Sequence, residues 1–252
     1  MSSAGAGYDL DSTTFSPDGR LFQIEYAGKA VEWSGTLIAA KTKNSVVFSV
    51  EKPRGGKMTL IESNSRIFKI SKNAIMVYGG LAADARQVAQ IARDEASEYK
   101  NIYREEIPLN LLADRVASYI FTSTFYSPKH ECMCRPFGVS IMLGGVYNGK
   151  PHLYHIEPSG NSTPIHTFAL GRHAQQAKTQ LETKILPNLQ NMTTQEALES
   201  ISEIVVTLHD DAKEKEMLLE CAVVEDQAVV LSLEQSTAVH QQILNAGQEA
   251  NL

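Results

Sequence analysis

Residues 8–31 read YDLDSTTFSPDGRLFQIEYAGKAV and form the most strongly patterned part of the sequence. Ser16, Pro17 and Gly19 suit the first, second and last positions of a type I turn, because proline pre-sets φ at the second position. After the turn, apolar residues recur at helical spacing on a stripe of Leu21, Ile24, Gly28 and Val31. The stretch therefore predicts a leader, a fixed turn and a short helix whose apolar face lies on the rest of the protein.

The composition is that of a globular protein without nucleic-acid or membrane partners. Of 252 residues, 43% are hydrophobic and 21% charged. The net charge of −6, without a basic run, argues against a nucleic-acid interface. No stretch of about 18 uncharged apolar residues occurs, and the start MSSAGAGYDLDS does not resemble a secretory signal. Three cysteines fit a reducing compartment, so we expect the cytoplasm and the nucleus.

Beyond Val31 the sequence predicts blocks of strands separated by pairs of helices. The predicted strands cover residues 36–41, 45–50, 66–70, 74–78, 137–146, 152–156, 165–170, 218–224 and 228–233. The predicted helices begin near Leu81, Pro108, Ala174 and Thr193. Asn148-Gly149 is typical of a tight hairpin turn, and Thr193 and Glu196 have the spacing of a capping box. Antiparallel sheets flanked by helix pairs indicate the α+β class, as a layered sandwich.

The pattern indicates one domain over residues 1–233. Within it, residues 1–15 form the leader and residues 16–31 the turn and first helix. From Glu234 the sequence is polar and shows no periodicity. Residues 234–252 are therefore predicted to be a flexible C-terminal tail.

Residues 15–31, FSPDGRLFQIEYAGKAV, resemble the N-terminal signature of the α-type subunits of the 20S proteasome. GLAADAR at 80–86 and RPFGVS at 135–140 also resemble that family. The start Gly7-Tyr8-Asp9-Leu10 is most similar to the member at the seventh position of the α ring. The resemblance implies a four-layer αββα sandwich, the Ntn-hydrolase fold, and the function of a non-catalytic ring subunit.

The resemblance also raises one alternative function, because catalytic members of this fold use an N-terminal threonine released by cleavage after glycine. Gly35-Thr36 would allow autoprocessing to a threonine peptidase. However, residues 37–83 contain no aspartate to support Thr36, and Arg66 stands near the position of the family's lysine, where a guanidinium is a poor proton carrier. Cleavage would also remove residues 8–31. An ordinary strand threonine is therefore favoured.

The family's N-termini close an axial pore, and the resemblance implies a gate cluster of Tyr8, Asp9, Pro17 and Tyr26. The Tyr26 hydroxyl can donate a hydrogen bond to the Asp9 carboxylate. The alternative is that Tyr26 is simply the partly buried aromatic residue of the helix. Leu10 stands where many members have arginine, and it lacks the bidentate donor that could pair with a neighbour's carboxylate.

Activator tails dock between adjacent α-type subunits, where a lysine receives the terminal carboxylate. The matching residues here are Arg66, with Gly80 and Leu81 as the apolar wall. The alternative for Arg66 is a surface ion pair at a strand end. The resemblance implies four kinds of partner: the other α-subunits of a hetero-heptameric ring, the β-subunit ring, ATPase-type activators and unfolded polypeptide in transit. A free-standing binding module that uses the helix at 21–31 is a third interpretation.

No residues predict a cofactor or a metal site. His152 and His155 are expected to face opposite sides of one strand. Cys132 and Cys134, with His130 nearby, fall short of four zinc ligands and are expected to be loop thiols. Cys221 is expected to be a small core residue.

Overall fold

The computed structural model describes residues 7–53, 58–125, 135–209 and 217–249. The described strands are β1 (Leu37–Lys41), β2 (Val46–Pro53), β3 (Ile67–Lys69), β4 (Ala74–Gly80), β5 (Val139–Tyr147), β6 (Lys150–Ile156), β7 (Ser162–Pro164), β8 (Thr167–Leu170), β9 (Met217–Val224) and β10 (Ala228–Val230). The described helices are α1 (Phe22–Glu32), α2 (Ala82–Tyr103), α3 (Leu109–Phe125), α4 (Ala174–Gln180), α5 (Thr194–Leu208) and α6 (Leu233–Glu249). Two short turns are a 3-10 turn at Ile61–Asn64 and a π-helical turn at Leu181–Ile185, directly after α4.

The strands form two five-stranded antiparallel sheets. The first has the order β10-β9-β2-β1-β8 and the second the order β3-β4-β5-β6-β7. The hairpin of β1 and β2 pairs Leu37 with Val50, and the other edge of β2 pairs with β9, where Val46 lies opposite Val224. Because successive strand residues point to opposite faces, each sheet presents one face to the other sheet and one face to helices.

Three buried clusters show how the layers are stacked. Helices α2 and α3 pack on the second sheet, and α4, α5 and α6 pack on the first. The third cluster lies between the sheets, where Phe48, Met142 and Leu153 are fully or almost fully buried. The predicted four-layer αββα sandwich is confirmed. In the part of the chain that the structure describes, no helix is long and apolar enough to cross a membrane.

Two local predictions are confirmed by backbone geometry. Asn148 and Gly149 have φ values of 50° and 70°, as the hairpin turn between β5 and β6 requires. The Thr193 side chain accepts a hydrogen bond from the Glu196 backbone, and the Glu196 side chain accepts one from the Thr193 backbone. This capping box begins α5 at the predicted position.

Two predictions are wrong in detail. The buried face of α1 consists of Phe22, Ala27 and Val31, so the helix is rotated from the predicted stripe, and only Val31 belongs to both sets. Residues 233–249, predicted to be a flexible tail for the most part, form α6, which packs on α5 and β9. Ser236 and Val239 are buried there and Ile243 packs on the same core. Because this stripe includes a serine and is short, hydrophobic periodicity alone does not reveal it.

Candidate functional site

The predicted turn before α1 is formed. The Gly19 N–H donates to the Ser16 carbonyl at 2.9 Å, and the Arg20 N–H donates to the Ser16 hydroxyl at 3.1 Å. Gly19 has a φ of 73°, a left-handed conformation that glycine adopts without strain. The turn fixes the direction from which the leader approaches the helix.

The leader lies against α1 through Asp9. The Asp9 carbonyl accepts a hydrogen bond from the Gln23 side chain. The Tyr26 hydroxyl donates to Asp9 Oδ2 at 3.4 Å, a long hydrogen bond, and Tyr26 is 44% exposed. Partial desolvation, followed by the negative charge of Asp9, raises the pKa of Tyr26. The structure therefore brings Asp9 and Tyr26 together as predicted from the resemblance.

The other two members of the predicted gate cluster stand apart from this pair. Tyr8 is half-buried and Pro17 is exposed. Among the described residues, neither forms a hydrogen bond or a ring contact with Asp9 or Tyr26. Their part in a gate stays a prediction. Sequence reasoning did not find Gln23, because a helix-face glutamine gives no signal of a partner fourteen residues earlier.

Thr36 lies inside the fold. It is fully buried, and its backbone N–H donates to Glu51 Oε2 at 2.6 Å. The other carboxylate oxygen of Glu51 lies 3.2 Å from His209 Nδ1. The Thr36 hydroxyl has no hydrogen-bond partner among the described residues, so no base within reach activates it as a nucleophile.

Arg66 is also an interior residue, with 5% of its surface exposed. Its guanidinium donates to the carbonyl oxygens of Gly35 and Glu51 at 2.9 Å and of Tyr78 at 2.8 Å. Burial lowers the pKa of Arg66. The alternative of a surface ion pair is wrong. Capture of an activator carboxylate is also inconsistent with this conformation, because the donors already bind backbone carbonyls and face away from solvent.

Gly80 and Leu81 form a fixed corner between β4 and α2. Gly80 has a φ of 117°, and a Cβ atom there would lie 2.1 Å from the Gly138 carbonyl oxygen. The Leu81 N–H donates to that same oxygen at 2.9 Å. Leu81 is 46% exposed and therefore presents an apolar surface. The backbone conformation that positions Leu81 requires a glycine at residue 80.

Asp84 stabilises this corner through hydrogen bonds from Arg135 and Gly138. Its carboxylate accepts hydrogen bonds from the Arg135 guanidinium at 2.6 and 2.8 Å and from the Gly138 N–H at 2.8 Å. Arg135 is the main cause of the lowered pKa of Asp84. The sequence shows both residues in family-like segments, but it does not show that they pair, because 51 positions separate them.

The remaining candidate residues form no metal site. No group of three or more His, Cys, Asp or Glu side chains in the described ranges could hold a metal ion. His155 is buried against Ser140, and Cys221 is a buried core residue whose thiol pKa is raised by burial to about 11. His130, Cys132 and Cys134 lie outside the described residues.

Family models match almost the whole described fold. Residues 31–224 match the family described as proteasome subunit, and residues 8–30 match the N-terminal signature of the A-type proteasome subunits. The chain belongs to the proteasome subunits. The N-terminal signature marks it as one of the α type, and α-type subunits are the non-catalytic ring subunits of the 20S proteasome. The alternative of a threonine peptidase acting through Thr36 is therefore not favoured.

Three similar proteins are α-type subunits as well. The chain is 46% identical over 220 residues to a proteasome alpha type-3 subunit of Arabidopsis thaliana, covering 87% of this chain and 85% of that one. It is 42% identical over 252 residues to a proteasome alpha type-3 subunit of Drosophila melanogaster, covering 100% and 96%. A probable proteasome alpha type-7 subunit of Saccharomyces cerevisiae is 39% identical, covering 87% and 75%.

Proposed function

We propose that this α-type subunit occupies the alpha type-3 position, seventh in a hetero-heptameric α ring that stacks on a ring of β-subunits. Several similar relatives carry the name alpha type-3, at 42–46% identity for the two described above. Leu10 after Tyr8-Asp9 supports the same position, because many α-type subunits have arginine there. The cytoplasm and the nucleus are the proposed location, since three cysteines without a disulfide framework suit a reducing compartment.

The leader contributes to an axial gate that unfolded polypeptide passes. The observation that carries this proposal is the contact between the Tyr26 hydroxyl and Asp9 Oδ2, with the Asp9 backbone held by Gln23. An exposed hydrogen bond of 3.4 Å is weak, and a weak bond at a leader can form and break at little cost. A gate requires this kind of reversibility.

The corner at Gly80 and Leu81 contributes to a docking surface for ATPase-type activators. Leu81 is exposed and rigidly held, which suits an apolar contact with a partner. Arg66 has no part in the resting form of this surface, because its guanidinium would first have to leave three carbonyl oxygens.

Native mass spectrometry of the complex purified from its source tests the proposal. When the particle is dissociated in the mass spectrometer, we expect this chain to be released at its full mass. The barrel should also contain six other distinct α-subunits. A chain that begins at Thr36 would overturn the proposal in favour of a processed peptidase. A free monomer would overturn ring membership.

A second measurement tests the position. Cross-linking of the intact particle, followed by mass spectrometry, should join this chain to two different α-subunits and to β-subunits. Cross-links to copies of itself would contradict a hetero-heptameric ring with a single seventh position.

A further inference from the structure

A cleft of about 920 Å³ lies between the end of α1 and α4. Neither the leader nor the Thr36 site uses it. Its lining includes Ser140, His155, Phe168 and Leu170 from the strands, and the side chain of Trp33, which is 81% exposed. Clefts of this volume, with apolar walls and a few polar groups, are typical of sites for small organic molecules.

Lys178 brings a positive charge into this cleft. Its Nζ lies 4.0 Å from the centre of the Phe168 ring. Burial is the main cause of the lowered pKa of Lys178, and the negative charges of Glu157 and Glu182 partly oppose this shift. Within the described residues, no carboxylate forms an ion pair with Nζ. A partly desolvated ammonium without a paired anion gains a charge-assisted hydrogen bond when an anion binds.

Glu157 affects which anion the cleft can bind. Its carboxylate lines the same cleft, so it repels a second negative charge on a ligand. The other acid of the lining, Glu32, is paired with Lys29 at 2.6 Å. Arg172 also lines the cleft and offsets this repulsion, so the apolar walls select the anion, and they suit a carboxylate on an apolar body better than inorganic phosphate.

His155 provides a hydrogen-bond acceptor in the lining. The Ser140 hydroxyl donates to the Ile156 carbonyl at 3.1 Å, so its oxygen accepts from His155 Nε2–H at 2.8 Å. The other nitrogen, Nδ1, is then an acceptor, and Glu157 Oε1 is 3.9 Å from it, beyond hydrogen-bond distance. Because burial lowers the pKa of His155 to about 4, the ring is neutral near pH 7. An N–H group of a ligand can donate to it.

We propose that this cleft binds a carboxylate carried on an apolar body next to an N–H group. The carboxylate pairs with Lys178, the N–H donates to His155 Nδ1, and the apolar body packs on Phe168 and Leu170. N-acyl amino acids have this chemistry, and so does the carboxyl-terminal residue of a polypeptide. The inference is independent of the ring position proposed above.

The test uses the full chain, because Trp33 is its single tryptophan and lines the cleft. N-acetyl-leucine should change the Trp33 fluorescence in a saturable way. N-acetyl-leucinamide, which lacks the charge, and inorganic phosphate should not.

Lys178→Met should weaken binding about ten- to a hundredfold, the effect of losing a hydrogen bond between charged groups, and Lys178→Arg should retain most of it. Lys184→Met, at an exposed lysine outside the cleft lining, is the matched control and should bind as the wild type does.

Equal binding of acid and amide would overturn the proposal, and so would wild-type affinity in Lys178→Met. Circular dichroism of all three variants excludes unfolding as the cause of lost binding. Equilibrium dialysis of labelled N-acetyl-leucine gives a second readout that does not depend on Trp33, and absence of binding in that assay would also overturn the proposal.

The same dialysis on the assembled particle separates the two sources. Binding retained in the particle indicates a free small molecule. Binding that is present in the free chain and lost in the particle indicates that a neighbouring chain occupies the cleft there.

Discussion

Two regions of this protein place a carboxylate beside a hydrogen-bond donor, one at the surface and one in the interior. Asp9 and Tyr26 meet at 3.4 Å on an exposed helix face. Glu51 accepts a hydrogen bond from the Thr36 N–H at 2.6 Å, where both residues are almost completely buried. Beside them, the Arg66 guanidinium donates hydrogen bonds to three backbone carbonyl oxygens. Interior contacts are costly to break and therefore hold a fold, whereas exposed contacts contribute little to stability and can respond to a partner.

This difference explains how a fold shared with peptidases serves as a scaffold. The interior site keeps a threonine after glycine, but its charged groups bind backbone atoms instead of the threonine hydroxyl. The conformational freedom that remains lies in the leader. The predictions below test whether stability and gating are divided between the two regions in this way.

The largest expected effect is that of Arg66→Met. The substitution keeps an unbranched apolar chain but removes the donor from three buried carbonyl oxygens, so the free energy of unfolding should fall by about 3–5 kcal/mol. Chemical denaturation of the full chain measures it. Arg93→Met is the control, because Arg93 lies over the Phe68 ring as Arg66 lies over the Tyr78 ring, but it donates to a single carbonyl, and the substitution should cost about 1 kcal/mol or less. Equal losses of stability in Arg66→Met and Arg93→Met would show that the hydrogen bonds of Arg66 beside Thr36 do not stabilise the fold more than the single hydrogen bond of Arg93.

His155 tests whether burial alone, away from the Thr36 site, has the same kind of effect. Its pKa is about 4 in the folded chain and about 6.5 when unfolded, so the unfolded state binds the extra proton between these values. Stability should therefore fall as the pH is lowered through this window, by up to about 1.4 kcal/mol per pH unit. Denaturation curves between pH 7 and pH 4 measure the slope, and His155→Gln should reduce it. An unchanged slope in His155→Gln, with exposed His166→Gln as the control, would contradict the assignment.

Thr36→Val gives an intermediate effect with the opposite sign. The buried Thr36 hydroxyl has no partner among the described residues, so its replacement by a methyl group of similar shape should leave stability unchanged or raise it by up to about 1 kcal/mol. Thr42→Val is the matched control. The Thr42 hydroxyl lies 2.8 Å from the Ser45 hydroxyl and accepts from the Ser45 N–H at 3.0 Å, so this variant should lose about 1–2 kcal/mol. A loss of the same size in Thr36→Val would reveal a hydrogen bond at Thr36.

Sequence reasoning succeeded where a physical signal is local. Nine of the ten described strands, the Asn148-Gly149 turn and the capping box at Thr193 depend on neighbouring residues and appear in the structure at the expected places. The resemblance of residues 15–31 supplied the family. Burial was harder to predict, because the environment of Arg66 and the pairing of Asp84 with Arg135 depend on contacts between distant segments. The helix α6 was missed because its buried stripe is short and includes Ser236.

The smallest stability effect, with the largest expected consequence for function, belongs to Asp9 and Tyr26. Asp9→Asn and Tyr26→Phe should each change the free energy of unfolding by less than about 0.5 kcal/mol, because their contact is long and exposed. In the assembled particle, however, each should change the rate at which a fluorogenic peptide is hydrolysed. The double variant should have no more effect than either single variant, since both remove the same contact.

Lys29→Met, which breaks an exposed ion pair with Glu32 on the same helix, should leave the rate unchanged. If Lys29→Met changes the rate as much, the effect comes from the helix surface in general. If the effects of Asp9→Asn and Tyr26→Phe add, the two side chains act separately, and the contact between them is not what holds the leader.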